Sequence, residues 1–359
     1  MPNGSSRLSA SPDAAAPPGP EVAFFCEGSR ALGLGHVERC LAVARALRDG
    51  HGAACRFVFR GDDDVLPRLG EFAVTRLERA DDFSRWNPDR APAAAVLDLR
   101  HDLDPAFFDR LRARGVFLAA LDDPTANRLR CDLVFYPPVP QTQALDWAGF
   151  SGIVLRGWEY VPLRREFARP KDPAPTAEPD PGRPRLLVAM GGSDPCGLAG
   201  RVLRVLGPLS QPRQTTVVAG ALDARAGELA ALAGPDVVVR RDVRDMAGLM
   251  RASDLAVAAF GMTAYELAAC RVPQLLLCLT DDHALSASAL DRAGAAVSLG
   301  RHDTVTDREI AAALEALLGR PDLRARLREN AAALGLGDGA ANIAAALTRH
   351  LENGCDKRP

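Results

Sequence analysis

Short apolar runs alternate with stretches of helical periodicity from residue 21 to near the end of the chain. In the first half, Val22–Cys26, Cys55–Phe59, Ala73–Leu77, Ala94–Leu97, Val116–Leu121 and Leu133–Tyr136 predict strands, and His36–Asp49 and Pro105–Arg114 predict helices. Near-continuous apolar strands between helices predict an α/β fold, a parallel sheet covered on both faces. Residues 169–184 carry proline at nearly every second or third place, so they can neither pair into a sheet nor continue a helix. They predict a linker. Beyond it the alternation restarts with strands Leu186–Met190, Thr215–Ala219, Val237–Arg240, Leu255–Ala259, Gln274–Leu279 and Ala295–Ser298. Helices are predicted at Leu198–Leu206, Ala224–Leu232, Thr263–Cys270, Ala284–Ala293, Asp307–Leu318, Leu323–Ala333 and Ala340–His350. Two doubly wound halves face a central cleft, because ligands of such sheets bind at the carboxyl ends of the strands.

Composition narrows the class. The 359 residues suit two domains, and a hydrophobic fraction of 47% is enough to fill two cores. The net charge of -2, with acids interspersed among the arginines, lacks the basic footprint of a nucleic-acid binder. None of the eight cysteines forms a C-x-x-C pair, so reduced buried thiols are expected in place of zinc ligands or a disulfide framework. Residues 1–20, rich in Ser, Ala and Pro, predict a disordered tail and no signal peptide. No run is long enough for a membrane span, and a cytoplasmic location is expected. The expected division is tail 1–20, first domain 21–168, linker 169–184, second domain 185–351 and tail 352–359.

Candidate chemistry lies at strand ends. Gly33-Leu-Gly35-His36-Val-Glu-Arg39 follows the first strand and opens the first helix. A glycine turn feeding a helix brings free backbone N–H groups and the positive helix end to one point, which suits phosphate or a developing negative charge. His36 adds a group that moves protons near neutral pH, with simple capping of the helix as the alternative. Gly191-Gly192-Ser193-Asp194 sits at another strand end, where the glycines admit a ligand and Ser193 or Asp194 caps the next helix. Gly261-Met262-Thr263 would hold a diphosphate on its amides. Glu266, three residues past Thr263, reads either as the second half of a capping box or as a ribose-hydroxyl acceptor. Asp282-His283 follow a late strand and either meet sugar hydroxyls or supply an N-cap through Asp282. His51, His101, His302 and His350 have no supporting constellation and are expected on the surface, and Met246, Met250 and Met262 are expected to pack.

Taken in order, Gly33-x-Gly-His-x-x-Arg-Cys-Leu, Leu121-Asp122-Asp123, Leu155-Arg-Gly-Trp-Glu-Tyr-Val-Pro-Leu-Arg164-Arg-Glu-Phe167, Gly191-Gly-Ser-Asp-Pro and Gly261-Met-Thr-Ala-Tyr-Glu resemble the PseG/SpsG family over residues 21–350. That family comprises UDP-sugar hydrolases and spore-coat polysaccharide relatives, with the GT-B fold shared with MurG-type glycosyltransferases. The resemblance implies two Rossmann-like domains, the first for acceptor and catalysis and the second for the nucleotide sugar. It implies His36 as the catalytic group, a loop around Val243 reading uracil, Gly261–Thr263 on the diphosphate and Glu266 on the ribose. It implies neither metal nor further cofactor, the UDP-sugar being a co-substrate. Two departures stand out. Asp98-Leu99-Arg100 replaces the usual Asp-His-Tyr, and Asp282-His283 replaces Asn-Gln. Arg100 would then pair with a carboxylate on sugar or acceptor, as in a uronic acid, or else be a solvated arginine beside Asp102. With the nucleotide half kept and the acceptor half changed, the expected reaction is transfer of a sugar to a small-molecule acceptor with release of UDP. Hydrolysis to free sugar and UDP is the alternative, and a non-catalytic binding subunit or an epimerase are more remote ones.

Overall fold

The computed structural model describes residues 19–29, 32–80, 82–168, 182–220, 225–241 and 243–355. Residues 1–18 of the expected N-terminal tail, most of the proline-rich linker and the last four residues lie outside them. The first domain contains β1 (Glu21–Gly28), α1 (Gly35–His51), β2 (Ala54–Gly61), β3 (Ala73–Leu77), α2 (Asp82–Arg85), β4 (Ala94–Asp98) and α3 (Pro105–Ala113). It continues with β5 (Phe117–Leu121), β6 (Leu133–Tyr136), α4 (Gln141–Ala144) and β7 (Ile153–Arg156). The second holds β8 (Arg185–Ala189), α5 (Leu198–Leu206), β9 (Gln214–Ala219), α6 (Ala226–Leu232), β10 (Val237–Arg241), α7 (Met246–Arg251), β11 (Leu255–Ala259) and α8 (Met262–Ala269). Then come β12 (Gln274–Cys278), α9 (Asp281–Arg292), β13 (Val297–Arg301), α10 (Asp307–Gly319), α11 (Pro321–Ala333) and α12 (Gly339–Cys355).

Both sheets are parallel throughout, in the orders β3-β2-β1-β4-β5-β6-β7 and β10-β9-β8-β11-β12-β13. The strand order reverses between β1 and β4 in one sheet and between β8 and β11 in the other, which opens a crevice at the carboxyl ends of each pair. The central strands β4 and β11 are buried at every position, which is why they read as unbroken apolar runs. Alternate residues of β1 serve two cores: Val22, Phe24 and Cys26 pack under α1, and Ala23 and Phe25 face Phe83, Trp86 and Phe107.

The structure changes several expectations. The first sheet has a seventh strand, β7, whose half-exposed edge residues Ile153–Arg156 carry little strand pattern. The last strand is Val297–Arg301, displaced from Ala295–Ser298, because Ala295 and Ala296 lie buried in the turn that follows α9. The closing helix runs through Cys355, so no tail begins at 352. That helix leaves the second domain: Ile343, Ala344 and Leu347 are fully buried in the core formed by Val37, Cys40 and Ala44 of α1. Burial of Ile343 and Leu347 contributes about 1.5–3 kcal/mol each to the first domain. His350 stacks on Phe117 with ring centroids 5.8 Å apart, and His101 meets Glu27 at 3.4 Å, so neither is the bare surface histidine expected. Met250 is fully buried, as its packing role required.

Asp123, just past β5, is 0% exposed and accepts from the Thr125 amide at 2.7 Å. Burial pushes its carboxyl up to about 6, against the opposing hydrogen bonds from Thr125 and Asn127. An acid raised above its unfolded value of about 3.9 supports the fold fully below about pH 4 and loses that support as pH rises through the folded value. Asp123→Asn is therefore expected to gain stability over the wild type between about pH 4 and 6, approaching about 3 kcal/mol at pH 7. Unfolding midpoints of both proteins across that range check it, and a pH-independent difference overturns it.

Candidate active site

The crevice of the first domain holds the strongest constellation. β1 pairs with β4 so that Cys26 sits opposite Asp98, at the carboxyl end of both strands. After β1 the chain turns through Gly33, whose φ of +77° is a left-handed value that glycine takes without strain, and α1 starts at Gly35. The first turn of α1 thereby lies over Asp98. His36 Nδ1 is 2.7 Å from Asp98 Oδ1. Arg39, one turn on, donates through Nε and Nη2 to both Asp98 oxygens, and Cys40 Sγ lies 3.6 Å from Oδ2. Burial works to raise the pKa of Asp98, which is 1% exposed, but Arg39 and His36 overcome it and hold the carboxyl well below its usual range. Arg39 Nη2 also lies 2.9 Å from His36 Nδ1. The two contacts require opposite tautomers, and an ionised carboxylate at the shorter distance favours Nδ1–H. Nε2 is then left for proton transfer.

A second carboxylate joins the cluster. Asp122, at the end of β5, accepts from Arg39 Nη1 at 3.0 Å and from Arg100 Nη2 at 3.1 Å. Arg100 Nη1 also donates to the Asp122 carbonyl at 2.7 Å. Arg100 is therefore anchored on Asp122, which corrects the expectation of a solvated arginine beside Asp102. Asp102 instead accepts from the Ala126 amide at 2.7 Å.

The crevice of the second domain lies between the loops after β8 and β11. Gly191, at φ +83°, and Gly192 leave β8, with half-buried Ser193 in the same turn. Asp194 is 5% exposed and accepts from the amides of Leu198 (2.8 Å) and Ala199 (3.0 Å). Its carboxylate thus takes the first amides of α5, the capping role that the sequence offered for it. Gly261 precedes α8, and no side chain caps that helix. The capping-box reading of Glu266 fails with it, because Glu266 is 8% exposed and pairs with Arg164 at 3.1 Å. Burial raises the Glu266 carboxyl, and Arg164 opposes that rise. Val243 is half-buried on the loop between β10 and α7. Asp282 and His283 lie in the first turn of α9, three residues earlier than the predicted helix start. The cap is Thr280, whose hydroxyl accepts from the His283 amide at 3.1 Å, which corrects the reading of Asp282 as N-cap.

The two crevices meet. A Cβ on Gly35 would lie 3.7 Å from the Met262 side chain, and one on Gly192 would lie 3.2 Å from Leu34. The start of α1 thus touches both glycine loops of the second domain. Side chains cap α3, α7, α9 and α10 through Asp104, Asp245, Thr280 and Thr306. Neither α1 nor α8 has such a cap. Other helices share that lack, but the starts of α1 and α8 lie against each other between the domains, where two positive helix ends suit an anion. A cavity of about 30 Å³ remains there, lined by Arg39, Asp122 and Tyr160 from one side and Met262 and Tyr265 from the other. Burial lowers the pKa of His283, Asp282 opposes that, and the charge of Arg100 adds to it.

Arg164 and Gln141 were not singled out from sequence. Arg164 links Glu266 to Glu166 (2.9 Å) and lies 3.9 Å from Glu38 of α1. Gln141 Nε2, with two protons to donate, reaches across the cleft to within hydrogen-bond distance of the Asp282 carbonyl (2.8 Å), Asp282 Oδ1 (2.9 Å) and Ser286 Oγ (2.5 Å). Arg164 lies inside a quoted motif and so was within reach of the sequence. Gln141 carried no signal.

No model of a known protein family matches the chain. Curated relatives do. Over 268 residues it is 24% identical to an uncharacterized protein of Methanocaldococcus jannaschii, covering 72% of this chain and 55% of that one. Over 348 residues it is 29% identical to the spore coat polysaccharide biosynthesis protein SpsG of Bacillus subtilis, covering 91% and 97%. A 206-residue stretch is 37% identical to the UDP-N-acetylglucosamine–N-acetylmuramyl-(pentapeptide) pyrophosphoryl-undecaprenol N-acetylglucosamine transferase of Sorangium cellulosum, covering 52% and 47%. The chain thus spans about half the length of the first and last of these relatives and nearly all of the SpsG protein. Among solved structures, MurG of Acinetobacter baumannii matches with a TM-score of 0.65 over 92% of this chain and 100% of that one, at 17% identity. A likeness at that identity shows a shared fold of two doubly wound domains about a cleft.

Proposed function

From a chain that is PseG/SpsG-like in sequence and GT-B in fold, we propose a UDP-sugar-dependent glycosyltransferase that moves a sugar to a small-molecule acceptor and releases UDP. One observation carries this reading. The starts of α1 and α8, neither capped by a side chain, lie against each other, and the His36–Asp98 pair sits on the first turn of α1. The diphosphate lies at the amides of Gly261–Thr263. As the anomeric C1–O bond breaks, its electron pair leaves with the diphosphate, and the two helix ends and open amides stabilise the added charge. His36 Nε2 takes the proton of the attacking hydroxyl, and Asp98 stabilises the imidazolium that forms. Arg100, held on Asp122, faces the cleft as the partner for a carboxylate, which makes a uronic acid a suitable sugar. The relative in Sorangium cellulosum named as a UDP-N-acetylglucosamine transferase supports uridine as the base. Under this reading Val243 lies at the uracil and Glu266 at the ribose.

A second reading has its own support. The cavity beside Arg39 and Asp122 is about 30 Å³, room for a water but not for an organic acceptor without movement of the domains. Attack by that water gives free sugar and UDP. UDP release from a panel of UDP-sugars including UDP-glucuronate, with and without a cell extract as acceptor source, decides. Release that requires extract establishes transfer. Rapid release without extract, lost in His36→Ala, establishes hydrolysis, and no release under either condition overturns both.

A further inference from the structure

The geometry points to Asp122 as the residue that binds a hydroxyl of the transferred sugar and so selects which sugar is accepted, an inference that rests on the proposed UDP-sugar chemistry. Asp122 belongs to none of the groups assigned above to base, diphosphate or nucleotide. Three observations converge on it. First, its position: it lines the interdomain cavity with Arg39 on one side and with Met262 and Tyr265, from the first turn of α8, on the other. A ligand whose diphosphate sits at the start of α8 and whose C1 lies within reach of His36 brings its sugar ring between these walls once the domains part to widen the cavity of about 30 Å³.

Second, its hydrogen bonds are lopsided. Arg39 Nη1 and Arg100 Nη2 both bind the same oxygen, Oδ2, at 3.0 and 3.1 Å. Among the described residues no hydrogen bond reaches Oδ1. A carboxylate offers about four acceptor sites over its two oxygens, so one oxygen of a fixed carboxylate is left in a cleft where the ligand carries hydroxyl donors. The two guanidiniums supply the opposite charge and hold the group in place, so little ordering remains when a hydroxyl binds. Third, Asp122 has φ +48°, one of three non-glycine residues with positive φ among those described. Such a backbone persists where surrounding structure imposes it. Here the Asp122 amide bonds the Phe135 carbonyl at 2.8 Å and its carbonyl takes the Arg100 guanidinium, and together these turn the residue out of the line of β5.

The test uses the full chain and the UDP-sugar it turns over best, beside the same donor lacking one sugar hydroxyl at a time. A hydrogen bond to a charged acceptor corresponds to a preference of about 10- to 100-fold for the hydroxylated donor in kcat/KM. Asp122→Asn keeps the shape and tolerates the left-handed backbone. It is expected to reduce that preference, for one position on the ring only, to under about threefold, with UDP affinity unchanged. Asp122→Gly, which removes the carboxylate and accepts the backbone freely, is expected to lose the same preference and serves if the asparagine variant misfolds. Wild-type preference retained at every ring position in either variant overturns the assignment. A wild type that neither binds UDP nor releases it from any donor overturns the function itself, and the role of Asp122 with it.

Discussion

Replacing His36 by alanine is expected to lower the rate of UDP release about 10²–10⁴-fold, the range typical of a lost general base. Affinity for UDP should hardly move, because the amides at Gly261–Thr263 and the start of α8 are untouched. The split follows from the position of His36 on the first turn of α1, with Nδ1 held by Asp98 at 2.7 Å and Nε2 left for the proton. Asp98→Asn should produce much of the same loss by a different route. The amide cannot supply the negative charge that stabilises the imidazolium, and it leaves Arg39 without its main partner. Single-turnover release with saturating donor separates chemistry from binding, and a His36→Ala rate within a few-fold of wild type sinks the assignment.

The second large effect concerns stability. Arg39→Met should destabilise the protein by about 3–5 kcal/mol, the cost of breaking a buried ion pair from one side. Arg39 is 8% exposed and Asp98 1%, so no water replaces the lost bonds. The sign with pH is fixed by the depressed pKa of Asp98. Its contribution is present above the unfolded value near 3.9 and fades as pH falls through the lower folded value. In Arg39→Met that depression is gone, so the deficit against wild type is largest near neutrality and shrinks toward acid. Adding Asp98→Asn removes the stranded charge and should recover part of the loss. Unfolding midpoints of the single and double variants check both statements, and a deficit that grows toward acid contradicts the assignment of charge.

How much the sequence revealed depended on how far apart the partners lie. Glycine turns at strand ends and the apolar central strands are local patterns, and both were legible. The edge strand β7 was not, because Ile153–Arg156 has only two half-buried residues and is hemmed in by Gly152 and Gly157. The start of α9 was misplaced although its signal was present. Thr280 followed by two acids is a good helix beginning, but a polar trio after an apolar strand reads equally well as a loop. His36 stood out in the sequence, whereas its pairing with Asp98, 62 residues away, did not, since no periodicity joins two strands across a switch point. Asp98 was noticed only as the first member of an altered tripeptide. Glu266 was narrowed to two roles by spacing, and the structure discarded one by bringing in Arg164, 102 residues distant.

The return of α12 to the first domain has a consequence for synthesis of the protein. Ala340, Ile343, Ala344, Ala346 and Leu347 complete a core whose remaining buried members are all supplied by residue 135. During translation the first domain therefore emerges with one flank of α1 uncovered, and it stays so while the whole second domain is made. At about 5–20 residues per second that interval is roughly 10–35 s. A nascent chain has this long to expose Val37, Cys40 and Leu41 to solvent and to neighbouring chains. A ribosome that stops before residue 339 would release a chain whose second sheet can fold and whose first remains open along α1.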